Sequence, residues 1–331
     1  VTRRETAEKS AAGAGGHALW FDAPHTCALK REAIAAEGDV LVRTLFSGIS
    51  RGTESLVFGG NVPESEYERM RAPYQAGKFP FPVKYGYAAV GIVEEGPGHL
   101  IGRTIFCLHP HQDRFRVPAS AVHLLPETLP PQRAVLAANM ETALNIIWDA
   151  GIQPGDRVAV FGAGVVGLMV ARLAASIIGT DVVVSDIEQE RAETAAVLGL
   201  RFAMPDAVPD DCDVLINASA SSEALTTALD HAGFEARIVE ASWYGERYAH
   251  IPLGGAFHAK RLSIVSSQVA ALPPGKRARW DTRRRMAKAL ELLADNRFDH
   301  LISGETQFET IAADYAGIID ASATLCHRIR Y

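Results

Sequence analysis

The run Val158-Ala-Val-Phe-Gly162-Ala-Gly164-Val-Val-Gly167-Leu-Met-Val-Ala-Arg-Leu173 constrains this chain more than any other. Apolar and small residues lead into a Gly-x-Gly-x-x-Gly turn, and an apolar pattern at helical spacing follows. That order predicts a buried strand, a tight turn and a helix start. Gly162 permits the turn, Gly164 lets the backbone approach a pyrophosphate, and Gly167 lets the helix pack close to the strand. The backbone of Gly162, Ala163, Gly164, Val165, Val166 and Gly167 then forms a phosphate cradle at a helix N-terminus. A second apolar run, Asp181-Val-Val-Val-Ser-Asp186, ends in an acid about 20 residues past the turn, where a carboxylate binds the ribose hydroxyls of NAD. A glycine-rich turn in some other α/β unit is the competing reading. Strand, turn, helix, strand and acid in this order favour a dinucleotide site.

With 331 residues the chain is long enough for two domains and a sizeable core. Its net charge of −6 argues against general binding to nucleic acid or an anionic membrane. No apolar run approaches the roughly 20 residues of a membrane span. Val1 to Gly16 is small, polar and mixed in charge, lacks the apolar centre of a signal peptide, and reads as a flexible tail. Cys27, Cys107, Cys212 and Cys326 lie far apart and read as buried thiols of a reducing, cytoplasmic setting.

From residue 17 to 130 the pattern is short strands with Gly/Pro punctuation, which predicts a small barrel-like β domain. Val40 to Phe46, Ala89 to Glu95 and Arg103 to Leu108 are its clearest strands, the first stopping at Ser47-Gly48. A polar segment between Gly60 and Pro82 has room for a short helix and the length of a lid or binding loop. From 131 to 269 the period alternates between helix and strand. A helix over Ala134 to Ala150 stops at Gly151, and strands follow at Cys212 to Asn217, Ala236 to Ala241 and Leu262 to Ser267. That alternation means a doubly wound parallel sheet. The basic stretch Pro273 to Arg285 reads as a solvated loop and exposed helix start, with attraction of an acidic substrate as the alternative. Residues 270–331, this stretch included, are assigned with 17–130 to the first domain.

A β-rich domain, an inserted dinucleotide fold and a returning tail together resemble the medium-chain dehydrogenase/reductase superfamily. Pro154-Gly-Asp-Arg-Val158 before the glycine turn is one specific part of the resemblance. Ser47-Gly-Ile-Ser-Arg-Gly-Thr-Glu54 looks like the family's first active-site loop, and Pro82-Val-Lys-Tyr-Gly86-Tyr87-Ala88-Ala-Val-Gly91 like its second. The resemblance implies a GroES-like β-barrel catalytic domain, a Rossmann domain, and a substrate bound in the interdomain cleft. The departures from the family are as informative. Zinc-binding members carry a Cys in the first loop, Gly-His-Glu in the second, and Cys or Asp before the cofactor domain. Here those positions hold Ser50 or Arg51, then Tyr87 and Ala88, then Ala138 if Thr142 matches the nicotinamide-side Thr. Catalytic Zn²⁺ needs about three N, S or carboxylate ligands, which this set lacks. The four-Cys lobe of a structural zinc is also missing. His109 and His111 have a metal-binding spacing but no third ligand, and read as loop histidines. No metal is expected. The chain is thus similar to the zinc-free branch, and its Gly-Ile-Ser-x-Gly-Thr-Glu loop looks like that of the bacteriochlorophyllide a dehydrogenase group.

Without zinc, a side chain must bond the reacting oxygen and pass its proton on. Tyr87 stands where the family has its His ligand. Its hydroxyl either meets the reacting oxygen or bonds backbone while the ring fills the metal's space. Thr53 matches the family's proton-relay hydroxyl when Gly-Thr-Glu sets the register. Glu54 is read as a remote base or as the partner of Arg51 or Arg103, and His111 is a weaker catalytic candidate. Ligands of open α/β sheets bind at the carboxyl ends of strands. Ser219, Ser242 and Ser267 follow such ends and join Thr142 as candidate cofactor contacts. Trp243 and Tyr244 either wall a flat substrate or pack within their loop.

Three functions fit these residues. The first is zinc-independent hydride transfer between NAD(H), with NADP(H) second, and an alcohol or carbonyl. The second is reduction of a quinone or activated C=C bond, and the third is a non-catalytic dinucleotide sensor. The family resemblance further implies a homodimer joined through the last cofactor-domain strand, whose apolar open edge would otherwise be a hazard. The partner expected besides this is a small-molecule substrate.

Overall fold

The computed structural model describes residues 15–331. These divide into two compact units, one of residues 15–135 with 303–331 and one of residues 136–302. The tail expected over 1–16 lies outside the described residues except for Gly15 and Gly16, which already belong to a strand. Among the described residues no helix is long and apolar enough to cross a membrane.

The first unit begins with β1 (Gly15–Ala23) and β2 (Thr26–Ala33), an antiparallel hairpin. Then come β3 (Val40–Ser50), α1 (Arg51–Phe58), β4 (Ala76–Gly77), β5 (Val83–Lys84), β6 (Ala89–Glu95), β7 (Thr104–Cys107), β8 (Arg114–Val117), β9 (Val122–Leu124) and α2 (Pro131–Ala134). The second unit runs through α3 (Ala137–Ala150), β10 (Arg157–Phe161), α4 (Val165–Ala174), β11 (Asp181–Ser185), α5 (Arg191–Val197), β12 (Arg201–Ala203), β13 (Cys212–Asn217), α6 (Ser222–His231), β14 (Ala232–Glu240), β15 (Ser263–Ser266) and α7 (Thr282–Leu292). The chain returns to the first unit with β16 (Ile302–Gln307), α8 (Ile311–Asp320) and β17 (Cys326–Arg330).

The first unit holds a four-stranded sheet, β2-β1-β5-β4, and a seven-stranded sheet, β16-β17-β3-β6-β7-β9 with β8 beside β3. Val40, Val42, Ala89, Val93, Ile105 and Phe115 make its core. β3 runs on past the Ser47-Gly48 stop signal because β17 pairs antiparallel along it, Ile329 opposite Ser47 and Cys326 opposite Ser50. Gly48 is needed there: a Cβ would lie 3.0 Å from the Val135 carbonyl oxygen. Tertiary pairing has overridden a local turn preference. The segment between Gly60 and Pro82 holds one short 3₁₀ turn, Glu64–Glu66, and the two-residue β4.

The second unit is a six-stranded sheet of order β12-β11-β10-β13-β14-β15, paired in parallel throughout. After exposed Arg157 and Asp181, β10 and β11 are buried at every residue, as strands covered on both faces must be. Gly151 ends α3 in the left-handed conformation, φ 68°, the C-cap its sequence position predicts. The boundary at 269 needs correction. Residues 270–302, expected in the first domain, lie in the second unit, with α7 packed on α3. The basic stretch explains why. Arg285 is buried and donates to Glu141 Oε1 (3.0 Å), Asn145 Oδ1 (2.6 Å) and the Val269 carbonyl (2.6 Å). The rest of that stretch is mostly exposed, although Lys276 lies over the Trp148 ring and Arg284 over Trp280.

Candidate active site

In the second unit the glycine turn has the conformation its spacing demands. Gly162 adopts φ +100°, and a Cβ there would meet the Ala218 and Ser219 backbone at 2.9 Å. A Cβ on Gly167 would come to 1.8 Å from the Gly162 carbonyl oxygen. A Cβ on Gly164 would meet nothing within 4 Å, so the backbone there is open to a ligand. Gly164 caps α4 with no side-chain hydrogen bond, leaving the first amides of a ten-residue helix to face an anion. Asp186 follows β11. Its Oδ2 accepts from the Ala163 amide (2.6 Å) and its Oδ1 from the Glu188 amide (3.0 Å). A carboxylate oxygen takes two donors, so each keeps a site for a ribose hydroxyl. This donor and acceptor set fits a dinucleotide.

The other expected cofactor contacts are already engaged within the unit. Thr142 Oγ1 donates to the Ala138 carbonyl one turn back on α3 (3.0 Å). Ser267 Oγ donates to Asp149 Oδ2 (2.7 Å). Ser219 Oγ donates to Asn217 Oδ1 (2.6 Å), and Ser242 Oγ accepts from the Ala220 amide (2.9 Å). Sequence reasoning missed the organiser of this corner, Glu240. Its carboxylate accepts from Asn217 Nδ2 (2.8 Å), the Ser242 amide (2.9 Å) and Tyr244 Oη (3.1 Å). Burial raises the Glu240 pKa against the lowering effect of these donors. Tyr244 therefore serves its own loop, the plainer of the two readings for it.

In the first unit the two loops meet. The Gly48 amide donates to the Ala88 carbonyl (2.9 Å), joining β3 to the start of β6. Tyr87 is half-buried as a residue, and its hydroxyl hydrogen-bonds with the side chains of Ser50 and Thr53. Burial, then the nearby Glu54 charge, pushes its pKa up to about 12, against the opposing effect of those two hydroxyls. Tyr87 thus carries its proton at neutral pH.

Glu54, expected as a remote base or an arginine partner, and His111, the weaker catalytic candidate, lie away from solvent. Both side chains are completely buried. Glu54 pairs with neither Arg51 nor Arg103 in the ion pairs found here; Arg51 instead donates to the Ile319 carbonyl (2.9 Å). Three donors converge on the Glu54 carboxylate: the Ser50 amide (2.8 Å), His111 Nε2 (3.0 Å) and Tyr315 Oη (2.5 Å). His111 Nδ1 lies 2.8 Å from Ser47 Oγ, which lies 2.9 Å from Tyr331 Oη. Gly86, at φ +117°, makes room for the imidazole, since a Cβ would sit 2.9 Å from its ring. His109 belongs elsewhere, stacked on Phe115 (3.8 Å) and Tyr74 (5.5 Å). Burial first, and then the nearby positive charges, lower its pKa to about 3, against a bond to the Pro110 carbonyl. Ser47, Tyr315 and Tyr331 carried no local signal; Tyr331 is 284 residues from Ser47.

The family model for the alanine dehydrogenase/PNT C-terminal domain matches residues 137–235. An uncharacterized zinc-type alcohol dehydrogenase-like protein of Haemophilus influenzae is 26% identical over 223 residues, 63% of this chain and 61% of that protein. The chain therefore spans about three fifths of that relative's length. L-galactonate-5-dehydrogenase of Escherichia coli is 25% identical across 85% of this chain and 88% of its own. Two solved structures share the fold. A short chain alcohol dehydrogenase from E. coli CFT073, complexed with NADH, has TM-score 0.76 at 17% identity and covers 96% of this chain and all of its own. A zinc-binding dehydrogenase from Sinorhizobium meliloti, bound to NADP, has TM-score 0.76 at 18% identity and the same coverage. The chain is thus similar to zinc-type alcohol dehydrogenase-like proteins of the medium-chain dehydrogenase/reductase superfamily.

The positions that the resemblance gives to zinc ligands carry other chemistry in this chain. Ser50 and Tyr87 present hydroxyls, and Ala88 and Ala138 present methyl groups. Hydroxyls and methyls do not make the N, S and carboxylate set that zinc takes. Among the described residues no group of three or more His, Cys, Asp or Glu comes together in a way that could hold a metal ion. All four cysteines are free thiols, three buried and Cys27 partly exposed.

Proposed function

We propose that this chain is a zinc-independent oxidoreductase that moves hydride between NAD(H) and an alcohol or carbonyl carbon. The observation that carries the reading is the Tyr87 hydroxyl, bonded with Ser50 and Thr53 where the two loops meet. A bound nicotinamide supplies the hydride chemistry. Gly162 through Gly167 and the α4 amides would hold its pyrophosphate and Asp186 its ribose, a set that would favour NAD(H) over NADP(H). Tyr87, with its proton in place, donates to the carbonyl oxygen as charge develops there. The proton passes from Tyr87 Oη to that oxygen, and water returns one to the phenolate. Ser50 and Thr53 hydroxyls bond the phenolate in between, because both lower the Tyr87 pKa. The Tyr87 hydroxyl keeps its proton at neutral pH, so it is in the donor form that carbonyl reduction uses. The substrate is a small molecule. The free edge of β15 is the proposed homodimer contact, and a monomer in sedimentation at micromolar concentration would remove it.

The test is NADH oxidation with a panel of ketones, aldehydes, quinones and enones, run on wild type and Tyr87→Phe. Ketone or aldehyde turnover, reduced 10²-fold or more in Tyr87→Phe, is the expected result for a general acid. Turnover confined to quinones or enones would select C=C or quinone reduction instead. Tight NADH binding with no turnover on any compound would make the protein a dinucleotide sensor.

A further inference from the structure

The Glu54 carboxylate is built into this unit more firmly than a loop anchor requires. It is fully buried, and backbone, imidazole and phenol all donate to it. Each donor arrives from a different part of the chain. Ser50 caps α1, His111 follows β7, and Tyr315 lies on α8, where its ring packs against Phe21 (5.1 Å) and Phe58 (4.9 Å). His111 is fixed in turn through Ser47 by Tyr331, which stacks on Phe308 (4.3 Å). Inside a dry, low-dielectric surrounding, hydrogen bonds to such a carboxylate are strong and hold it in one place. Its hydrogen-bonded neighbour Ser50 is itself a partner of Tyr87, as is Thr53, the residue next to Glu54.

Resting on the oxidoreductase reading, we propose that Glu54 is the positioning residue for Tyr87. It holds the turn that presents the Ser50 and Thr53 hydroxyls to Tyr87. His111, Ser47 and Tyr331 hold Glu54 to that task. The other titratable groups facing Tyr87 are Tyr85 from its own loop, Cys326 of β17 and Tyr315 of α8, all of which burial keeps protonated. Glu54 is therefore the charge that Tyr87 feels from its surroundings, and it acts in the direction that retains the proton.

The test needs no substrate. Protein carrying ζ-¹³C tyrosine is titrated by NMR, with the Tyr87 resonance assigned by its loss in Tyr87→Phe. In wild type that resonance stays protonated through pH 11. In Glu54→Gln, which keeps the size and one acceptor oxygen, its midpoint moves down by on the order of one pH unit. If Glu54→Gln fails to fold, Glu54→Asp carries the test; it keeps the charge but withdraws it by roughly one C–C bond, ~1.5 Å, and gives a smaller shift in the same direction. An unchanged midpoint in a folded Glu54→Gln, or in a folded Glu54→Asp where that is the variant used, overturns the proposal. The two readings fail separately. If Tyr87→Phe retains full turnover, the acid role of Tyr87 falls, while a shifted midpoint still establishes Glu54 as its positioning group.

Discussion

The two units solve the problem of placing polar groups in opposite ways. The second unit writes its site into one continuous stretch, residues 158 to 186, where strand, glycines, helix and acid follow in order. The first unit assembles Ser47 and Glu54 of one loop with His111, Tyr315 and Tyr331 from three other places, and each is useful only because the others are there. Backbone amides of a turn and helix need nothing but correct dihedrals to bind an anion. Buried side chains must find partners or bear the desolvation cost, so they recruit them across the whole unit.

The comparison is broken most severely at Gly167. Its missing Cβ is what lets α4 sit against the Gly162 carbonyl, and at 1.8 Å a methyl group has no room. Gly167→Ala should remove NADH binding, by about 100-fold or more, and destabilise by roughly 3 kcal/mol or more. Fluorescence titration and thermal melting check this, and a variant with unchanged affinity would show that the turn tolerates more than its geometry allows.

A matching cut in the first unit is His111→Ala. It leaves Glu54 and Ser47 each one partner short inside a dry core. The expected loss is about 3 kcal/mol, typical of breaking a buried hydrogen-bonded pair. Tyr87→Phe, at the half-buried end of the arrangement, should cost less than about 1 kcal/mol by the same denaturant titration. If both variants were equally stable, the buried chain would not be the structural tie described here.

These contrasts also decide what could be read in advance. The turn at Gly162, the parallel strands and the C-cap at Gly151 were legible because each is fixed by neighbours in sequence. The continuation of β3 was not, since Ser47-Gly48 reads as a stop until β17 arrives to pair with it. Nor was the placement of residues 270–302, because Arg285 looks like one more surface charge until Glu141 and Asn145 are beside it. The sequence placed Glu54 and His111 among the groups that matter, but their partnership spans 57 residues, so their burial was out of reach.

A third expectation separates the histidines by pH. His109 is stacked between Phe115 and Tyr74, with its pKa lowered to about 3 by burial. An unfolded chain binds that proton at about 6.5. Between those values the unfolded state takes up more protons than the folded one, so stability falls as pH drops from about 6.5 toward 3 and is fully present above 6.5. The contribution is on the order of a few kcal/mol. His109→Phe should therefore flatten the acid side of the stability profile measured by urea unfolding from pH 7 to 4. An equally steep profile in that variant would assign the acid loss to other groups.

The smallest effect sharpens the comparison within the second unit, where the acid does two jobs. Asp186 accepts from the Ala163 amide and so braces the glycine turn, and it is the proposed ribose partner. A carboxylate there bonds both ribose hydroxyls and repels a 2′-phosphate. Exposed Ile187, Glu188, Gln189 and Glu190 follow before Arg191, so the local charge opposes the phosphate as well. Losing the ribose bonds costs on the order of 1–3 kcal/mol, which is about tenfold or more in affinity. Wild type should bind NADH more tightly than NADPH, and Asp186→Ala should weaken NADH while narrowing the gap. The bracing bond predicts a second, separable loss, since the Ala163 amide loses its acceptor in Asp186→Ala but keeps a carbonyl acceptor in Asp186→Asn. Asp186→Asn should therefore bind NADPH better than Asp186→Ala does, because it relieves the repulsion without releasing the turn. Fluorescence titration of the three proteins with both nucleotides decides it, and tighter NADPH binding by wild type would show that Asp186 braces the turn without selecting the cofactor.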